Sequence, residues 1–193
     1  MCHAILGTSN FWSWLFRIDK ELAAQTRATG CRYCGGALHC ADYLRKPRGV
    51  AGWRPGEGGE RRLSFCCERD GCRRRHTPPS VRFLGRRVFL GAVVVLATAM
   101  AHGLTGRRMT RLSEQFGVSV RTLRRWQRWW REAFAADAVW QGLRGLLAVP
   151  LSPASLPGSL LAGMTATREV DRLVELLRLL APLSSSRCLR EGE

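Results

Sequence analysis

The sequence predicts a mainly α-helical fold with one small β module in its N-terminal half. Apolar residues recur at helical spacing in several separate segments of the 193-residue chain. Two cysteine pairs lie in a turn-rich stretch over residues 31–76, in which the glycine-rich loop 49–59 argues against a long helix. Pro78 and Pro79 then separate this stretch from the helical segments that follow it.

The chain is strongly basic, and its basic residues are concentrated in the middle. It has 31 Lys and Arg residues against 15 Asp and Glu residues, which gives a formal net charge of +16. Residues 31–76 hold 11 basic and 5 acidic side chains, and residues 82–131 hold 11 and 1. Clustered cations attract polyanions because binding releases condensed counterions. The charge distribution therefore predicts a nucleic-acid partner, and the hydrophobic fraction of 46% predicts a folded chain of one or two small domains.

The first predicted element is a helix within the N-terminal segment 1–30. Ser9 or Asn10 can cap this helix, which runs to about Thr29 and is ended by Gly30. Apolar side chains at helical spacing form its predicted buried face: Phe11, Trp14, Leu15, Ile18, Leu22 and Ala23.

The second predicted element is a compact module over residues 31–81 that is built on two cysteine pairs. Cys31 and Cys34 form a Cys-x-x-Cys turn followed by two glycines, and 32 residues separate this pair from Cys67 and Cys72. Four thiolates at two turns provide the closed tetrahedral geometry of a structural zinc site. The spacing therefore predicts a zinc ribbon in which these four cysteines are the metal ligands.

Two further side chains near the second pair are alternative ligands. Cys66 is adjacent to Cys67, and we favour Cys67 because it would share a strand face with Phe65, in a strand predicted over residues 61–67. His76 follows Cys72 at a Cys-x-x-x-His spacing, which is also used by zinc ligands. Both Cys66 and His76 therefore remain alternates.

Other uses of cysteine are less consistent with the sequence. A disulfide framework would suit a secreted protein, but the first ten residues carry no Lys or Arg and do not resemble a signal peptide. A redox Cys-x-x-Cys motif would need a surrounding βαβ pattern, and a catalytic zinc would need a base, for which Glu68 is the only close candidate. We therefore expect a structural metal in a cytoplasmic, nucleoid-associated protein of bacterial type.

The third predicted element is a helical bundle over residues 82–135. It begins with a helix over about residues 86–102, whose apolar part, Val88–Ala101, is too short to span a bilayer that needs about 20 residues. We therefore expect this segment to be a buried helix and the protein to have no membrane partner.

The most specific run of the chain follows this helix and predicts a helix-turn-helix. Helices are predicted over Met109–Phe116 and from Ser119 to about Phe134. Gly117 provides the positive φ of the turn, Val118 fills the angle between the helices, and Ser119 caps the second helix. The buried stripe of the two helices is predicted to contain Leu112, Phe116, Leu123, Trp126 and Trp130.

The second helix of such a unit enters the major groove of duplex DNA with its N-terminal turns facing the base edges. Ser119 stands at the start of this helix and belongs to the predicted interface. We assign Arg121, Thr122 and Arg125 to base edges and Arg124, Arg128 and Arg131 to phosphates. Further phosphate contacts are predicted from basic residues of the ribbon: Arg45, Lys46, Arg48, Arg73, Arg74 and Arg75.

The order of these parts resembles the N-terminal half of zinc-ribbon insertion-sequence transposases and their small accessory DNA-binding proteins. The shared parts are the cysteine turn with its glycines, the second cysteine pair, an Arg/Thr-rich strand over Arg73–Val81, the apolar helix and the helix-turn-helix. They cover residues 31–131. The resemblance implies a zinc ribbon with ligands at Cys31, Cys34, Cys67 and Cys72, and recognition of terminal inverted repeats by the helix that begins at Ser119.

The chain departs from this family in two respects. Four residues instead of two separate Cys67 from Cys72, and Cys66 doubles the first ligand of that pair. In addition, the residues after Arg131 show no strand pattern bearing the three carboxylates of an RNase-H-like catalytic domain. We therefore expect that the protein is not an enzyme.

The C-terminal part is predicted as a linker over residues 136–164, an amphipathic helix within 165–183 and a tail over 184–193. The apolar face of the helix contains Val170, Leu173, Val174, Leu177 and Leu180, with Leu176 and Leu179 beside it. This face can pack on the N-terminal helix or pair with a second copy of the chain, and a homodimer would suit an inverted-repeat site.

These features together predict a transposon-associated DNA-binding protein that contains structural Zn²⁺ and binds the ends of a mobile element. Its expected partners are double-stranded DNA and a separate transposase. The alternatives are a transcriptional regulator with the same parts, a truncated transposase, and an RNA-binding ribbon protein.

Overall fold

The computed structural model describes residues 3–45, 59–84, 88–101, 105–146 and 151–185. The protein is mainly helical and contains a small antiparallel sheet, as the sequence predicts. The α-helices are α1 His3–Leu6, α2 Ser9–Thr29, α3 Leu90–Ala101, α4 Gly106–Phe116, α5 Val120–Arg131, α6 Ala138–Leu146, α7 Gly158–Ala162 and α8 Glu169–Leu180. Short 3-10 helices cover Pro153–Ser155 and Ala181–Ser184.

The strands are all short and lie between α2 and α3. They are β1 Leu38–Cys40, β2 Tyr43–Leu44, β3 Arg61–Arg62, β4 Phe65–Cys67, β5 Arg75–His76, β6 Phe83–Leu84 and β7 Val88–Phe89. An antiparallel sheet has the order β1-β4-β5, with His39 opposite Cys66 and Cys66 opposite Arg75. Strands β2 and β3 form one separate pair, and β6 and β7 form another.

The strand predicted over residues 61–67 is two strands, because the chain changes its pairing partner in the middle. Ser64 is buried at the break, where its amide donates to Asp42 Oδ1 over 2.9 Å and its carbonyl accepts from the Ala41 amide over 2.8 Å. The strand predicted over Arg73–Val81 is likewise limited to β5, because prolines follow it and cannot donate to a ladder.

The N-terminal helix ends before Gly30, as predicted, but its start differs from the expectation. The residue before the first turn is Thr8 instead of Ser9 or Asn10, and the Thr8 hydroxyl donates to the Ile5 carbonyl over 2.8 Å. A short helix, α1, precedes it and was not predicted. Within the predicted face of α2, Trp14 and Leu22 are half-buried and the other four apolar side chains are buried.

Most buried apolar side chains form one cluster, the helical core, to which every helix from α1 to α8 contributes. Helix α3 lies at its centre and contacts α1, α5, α7 and α8. Its residues are apolar on all sides because nearly all of them are buried. The helix begins at Leu90 and not near residue 86, since Val88 and Phe89 pair with β6. Within the described ranges, no helix combines the length and hydropathy needed to cross a bilayer.

A second, much smaller cluster lies in the cysteine module. It consists of Ala23, Cys31, Leu38, Phe65 and Cys67, with Cys34, Leu63 and Cys72 packed against it. Ala23 belongs to α2, so this helix contributes to both clusters.

A buried ion pair joins the two regions and was not predicted from the sequence. Asp19 on α2 and Arg82 after β5 are each 1% exposed, with Arg82 Nε 2.8 Å from Asp19 Oδ2. The Ser80 hydroxyl donates to the same carboxylate oxygen over 2.6 Å, and Arg82 also donates to the carbonyls of Gly59 and Arg61. Burial lowers the pKa of Arg82, and the Asp19 carboxylate acts in the opposite direction.

The segment predicted as a linker contains α6 and α7, and it places Leu156 and Leu160 in the helical core. The predicted apolar face of α8 is covered by the same chain, because α8 packs against α3 and α7. Arg178 Nη2 also lies 3.6 Å from Glu21 Oε2 on α2. A homodimer could therefore not form through this face of α8 and would need another surface. Of the predicted tail, residues 186–193 lie outside the described residues.

Candidate metal centre and nucleic-acid interface

The structure brings together the four cysteines that the sequence predicts as metal ligands. The Sγ atoms of Cys31, Cys34, Cys67 and Cys72 all lie within 4.8 Å of one another. Cys31 Sγ is 3.7 Å from Cys72 Sγ, and Cys34 Sγ is 3.4 Å from Cys67 Sγ. These distances are well above the S–S bond length of about 2.0 Å, so the four are free thiols. Such a cluster can hold a metal ion.

The first turn of the centre depends on a close backbone approach. The Cys31 amide donates to the Gly36 carbonyl over 2.9 Å, and the Gly35 amide donates to the Cys31 carbonyl over 2.7 Å. A Cβ atom on Gly36 would lie 3.2 Å from Cys67 Sγ. Glycine at this position therefore lets the first turn reach the second cysteine pair.

The second turn closes differently from the first. The Cys72 amide donates to the Arg69 carbonyl over 3.0 Å, and the Cys67 amide donates to the Arg74 carbonyl over 3.0 Å. Arg73 adopts a φ of 44°, a left-handed conformation that is uncommon for a residue with a side chain. The chain therefore turns between Cys67 and Arg74, and the left-handed residue of this turn, Arg73, directly follows Cys72.

The alternates Cys66 and His76 have distinct positions. Strand alternation puts Cys66 on the opposite face of β4 from Cys67, which is fully buried. The Cys66 thiol donates to the Arg73 carbonyl over 3.2 Å. Cys66 therefore lies outside the cluster. His76 is buried beside it, with Nε2 3.2 Å from Cys31 Sγ. This contact makes His76 a neighbour of one candidate ligand. Glu68, which we considered as a base, pairs on the surface with His39 over 2.9 Å.

The thiols of the cluster differ in acidity. Burial by itself would raise the pKa of Cys31, but hydrogen bonds from the Tyr33 and Cys34 amides and from His76 outweigh it and lower this pKa to about 6. Burial raises the pKa of Cys67 to about 12. The Cys31 thiol therefore loses its proton far more readily than the Cys67 thiol, and a metal ion that binds Cys67 must displace a proton.

Helices α4 and α5 are joined by the turn that the sequence predicts. Gly117 has φ 59° and ψ 32°, and its amide donates to the Ser113 carbonyl. The Ser119 hydroxyl accepts from the Thr122 amide over 3.2 Å, which confirms the predicted cap. Val118 is buried between the helices. Helix α5 itself ends at Arg131, earlier than expected, and turns lead from there to Phe134.

Helix α5 has one buried and one basic exposed face. Leu123, Trp126 and Trp130 are buried in the helical core, as predicted. Five arginines are exposed, and none of them has a carboxylate partner among the described residues: Arg121, Arg124, Arg125, Arg128 and Arg131. Ser119 is exposed and Thr122 is half-buried. Every predicted contact residue of this helix is therefore at or near the surface.

The predicted contact residues of the ribbon are only partly described. Arg73, Arg74 and Arg75 are exposed, and Arg45 is half-buried with its guanidinium stacked on Tyr43. Lys46 and Arg48 lie outside the described residues. The sequence analysis did not single out Tyr33, which contacts Arg74, or Tyr43, which contacts Arg45 and Arg75. It also did not single out Arg32, which contacts Tyr33. The signal that could have found them is that both tyrosines of the chain fall in the cysteine module.

Comparisons with protein-family models, curated proteins and solved structures find no match for this chain.

Proposed function

We propose that this protein binds duplex DNA through α5 and that its four-cysteine cluster holds a structural Zn²⁺. The observation that carries the proposal is the division of α5 into a face buried in the helical core and an exposed face of five arginines. An α-helix fits the major groove, and exposed guanidinium groups can contact both phosphates and guanine edges. Helices α4 and α5 act in this proposal as a DNA-binding helix-turn-helix.

The geometry of the sulfur atoms supports zinc as the metal. Four thiolates at 2.3 Å from a tetrahedral Zn²⁺ are about 3.8 Å from one another. Two of the sulfur–sulfur distances in the cluster, 3.7 Å and 3.4 Å, are close to this value. The four cysteines provide the soft donors that zinc prefers and leave no place for a reactive water, so the ion supplies rigidity to the module.

Position along α5 suggests which side chains read the sequence. Arg121, Thr122 and Arg125 lie on the first two turns, which face base edges in this mode of docking. Arg124, which lies in the same two turns, and Arg128 and Arg131 nearer the C-terminus are assigned to phosphates.

We further propose that the protein acts without catalysis and recognises the ends of a mobile element together with a separate transposase. This proposal is supported by the order of the sequence motifs. A promoter-binding regulator with the same parts is the alternative.

Selection of bound duplexes from a random DNA pool, using the full-length zinc-loaded protein, tests the proposal. We expect enrichment of one motif, and a match to inverted repeats flanking the gene would support the transposon role. A match to an upstream promoter would favour the regulator instead. Recovery of no preferred sequence would contradict readout by α5.

A further inference from the structure

Both tyrosines of the chain lie on the ribbon, and each is in contact with two arginines. The Tyr33 ring centroid is 4.2 Å from the Arg74 guanidinium carbon and 4.9 Å from that of Arg32. The Tyr43 ring centroid is 4.5 Å from Arg45 and 5.4 Å from Arg75. We call these six residues the ribbon edge surface.

The edge strand β5 explains how consecutive residues reach two different rings. Side chains alternate between the faces of a strand, so Arg74 and His76 point to one side and Arg75 to the other. Accordingly, Arg74 and His76 are the neighbours of Tyr33, and Arg75 is the neighbour of Tyr43. Strand β5 is the last in the sheet order β1-β4-β5, so its outer side is uncovered by a described strand.

The Tyr33 side of this surface is open to solvent. Tyr33 is 51% exposed, whereas aromatic residues of the helical core such as Trp130 and Trp140 are buried. Arg32 and Arg74 are exposed as well, and neither makes an ion pair with a carboxylate among the described residues. The molecule thus presents a ring and two uncompensated guanidinium groups together.

We propose that the ribbon edge surface binds an unpaired strand of nucleic acid. A base stacks on the exposed part of Tyr33 or on the guanidinium plane of Arg74, and the neighbouring arginines contact the phosphates of the strand. This surface shares no residue with α5. Arg45, Arg74 and Arg75 are also predicted phosphate contacts of a duplex, so Tyr33 and Arg32 are the residues that distinguish single-strand binding from duplex binding.

The chemistry of the surface favours an unpaired strand over a duplex. In a duplex the faces of the bases are stacked on one another, so an exposed ring cannot stack on them. In a single strand the base faces are available, and aromatic rings or arginine planes commonly receive them. Arginines can contact the phosphates of a duplex or of a single strand, but the exposed Tyr33 ring can stack on a base only in a single strand.

Fluorescence anisotropy with the full-length zinc-loaded protein tests the proposal. The probes are labelled oligothymidylate and oligouridylate, which form no stable secondary structure, and a random-sequence duplex of equal length. We expect both single strands to bind, and their relative affinity tells whether DNA or RNA is the preferred source. Absence of binding to either single strand overturns the proposal.

Variants of Tyr33 locate the binding. Tyr33→Ala should weaken binding of the preferred single strand by at least about fivefold, because stacking on one aromatic ring contributes that much or more. Tyr33→Phe should keep the affinity, since the ring remains, and neither variant should change duplex binding. An unchanged single-strand affinity of Tyr33→Ala, or an equal loss for both nucleic acids, contradicts the proposal.

Two further measurements keep the test decisive. If Tyr33→Ala loses its zinc, Arg32→Gln replaces it under the same criteria, because the Arg32 side chain is exposed, contacts the Tyr33 ring and was assigned no duplex contact. Arg144→Ala on α6 is the matched control for loss of one exposed charge and should bind as the unaltered protein does. Strands containing 5-iodouracil should cross-link to Tyr33, and cross-links confined to α5 would overturn the assignment.

Discussion

The helical core and the cysteine module are stabilised in different ways. The core draws apolar side chains from every helix between α1 and α8, including the fully buried Trp130 and Trp140. The module has five buried residues in its cluster, and two of these, Cys31 and Cys67, are candidate metal ligands. Small units that cannot bury enough apolar surface commonly depend on a metal or on disulfides. We therefore expect the charge-rich module to depend on a bound metal ion for its fold, whereas burial of apolar side chains is the main source of stability in the helical part.

The two regions are nevertheless joined at one place. Arg82 pairs with Asp19 on the helical side and donates to carbonyls at Gly59 and Arg61 on the ribbon side. Rigid docking of the ribbon on α2 therefore depends on a buried charge pair. Loss of one partner of such a pair leaves an uncompensated buried charge.

Removal of the metal gives the largest expected difference between the regions. Zinc supplies about 10 kcal/mol or more in isolated zinc modules, so Cys67→Ser should abolish binding of one zinc per chain and unfold the ribbon. Hydrogen exchange should rise over residues 31–45 and 61–76 and stay low in α3.

The neighbouring residue provides the control for this experiment. Cys66→Ser should keep one zinc and normal exchange, because the Cys66 thiol lies on the other face of β4. A metal-free protein that retains slow exchange throughout the ribbon would show that the ion is not required there.

Breaking the junction should have the next largest effect. Asp19→Ala leaves Arg82 buried without its carboxylate, and we expect the free energy of unfolding to fall by about 3–5 kcal/mol. Denaturant titration of the zinc-loaded protein measures this change.

Glu21→Ala on the same helix is the comparison variant. Glu21 and Arg178 are both about half exposed and 3.6 Å apart. Removing this exposed ion pair should therefore lower the free energy of unfolding by less than about 1 kcal/mol. Equal effects of the two variants would mean that the buried pair does not hold the ribbon on the helical part.

Substitution of an arginine on α5 should have a smaller effect than the two preceding changes. It should change the affinity for DNA and leave the stability of the fold unchanged. Arg121→Ala should weaken binding to the selected duplex by about 1–3 kcal/mol and relax the preference at one base pair. Arg128→Ala should weaken all duplexes alike and reduce the salt slope by about one unit. Titrations at several salt concentrations separate the two, and an unchanged sequence preference of Arg121→Ala would place base readout elsewhere.

Much of the local structure could be predicted because it depends on residues close in sequence. The left-handed Gly117, the cap at Ser119 and the end of α2 at Gly30 follow from turn and cap chemistry within a few residues. The preference for Cys67 over Cys66 followed from strand alternation alone. Predictions failed where pairing changed between distant segments, as at Ser64, or where a turn used an unexpected residue, as at Arg73.

The sequence by itself determined the helices α2, α3, α4, α5 and α8, the two cysteine turns and the basic face of α5, because spacing along the chain places these side chains on one side of an element. Helices α1, α6 and α7 were not predicted. Only the tertiary structure decided that Asp19 meets Arg82, that the apolar face of α8 is covered within the chain, and that Tyr33 lies against Arg74. The pairs Asp19–Arg82 and Tyr33–Arg74, and the contact of α8 with α3, each join residues more than about thirty positions apart. The free energy that selects such contacts comes from burial and charge pairing in the folded chain, which local spacing does not encode.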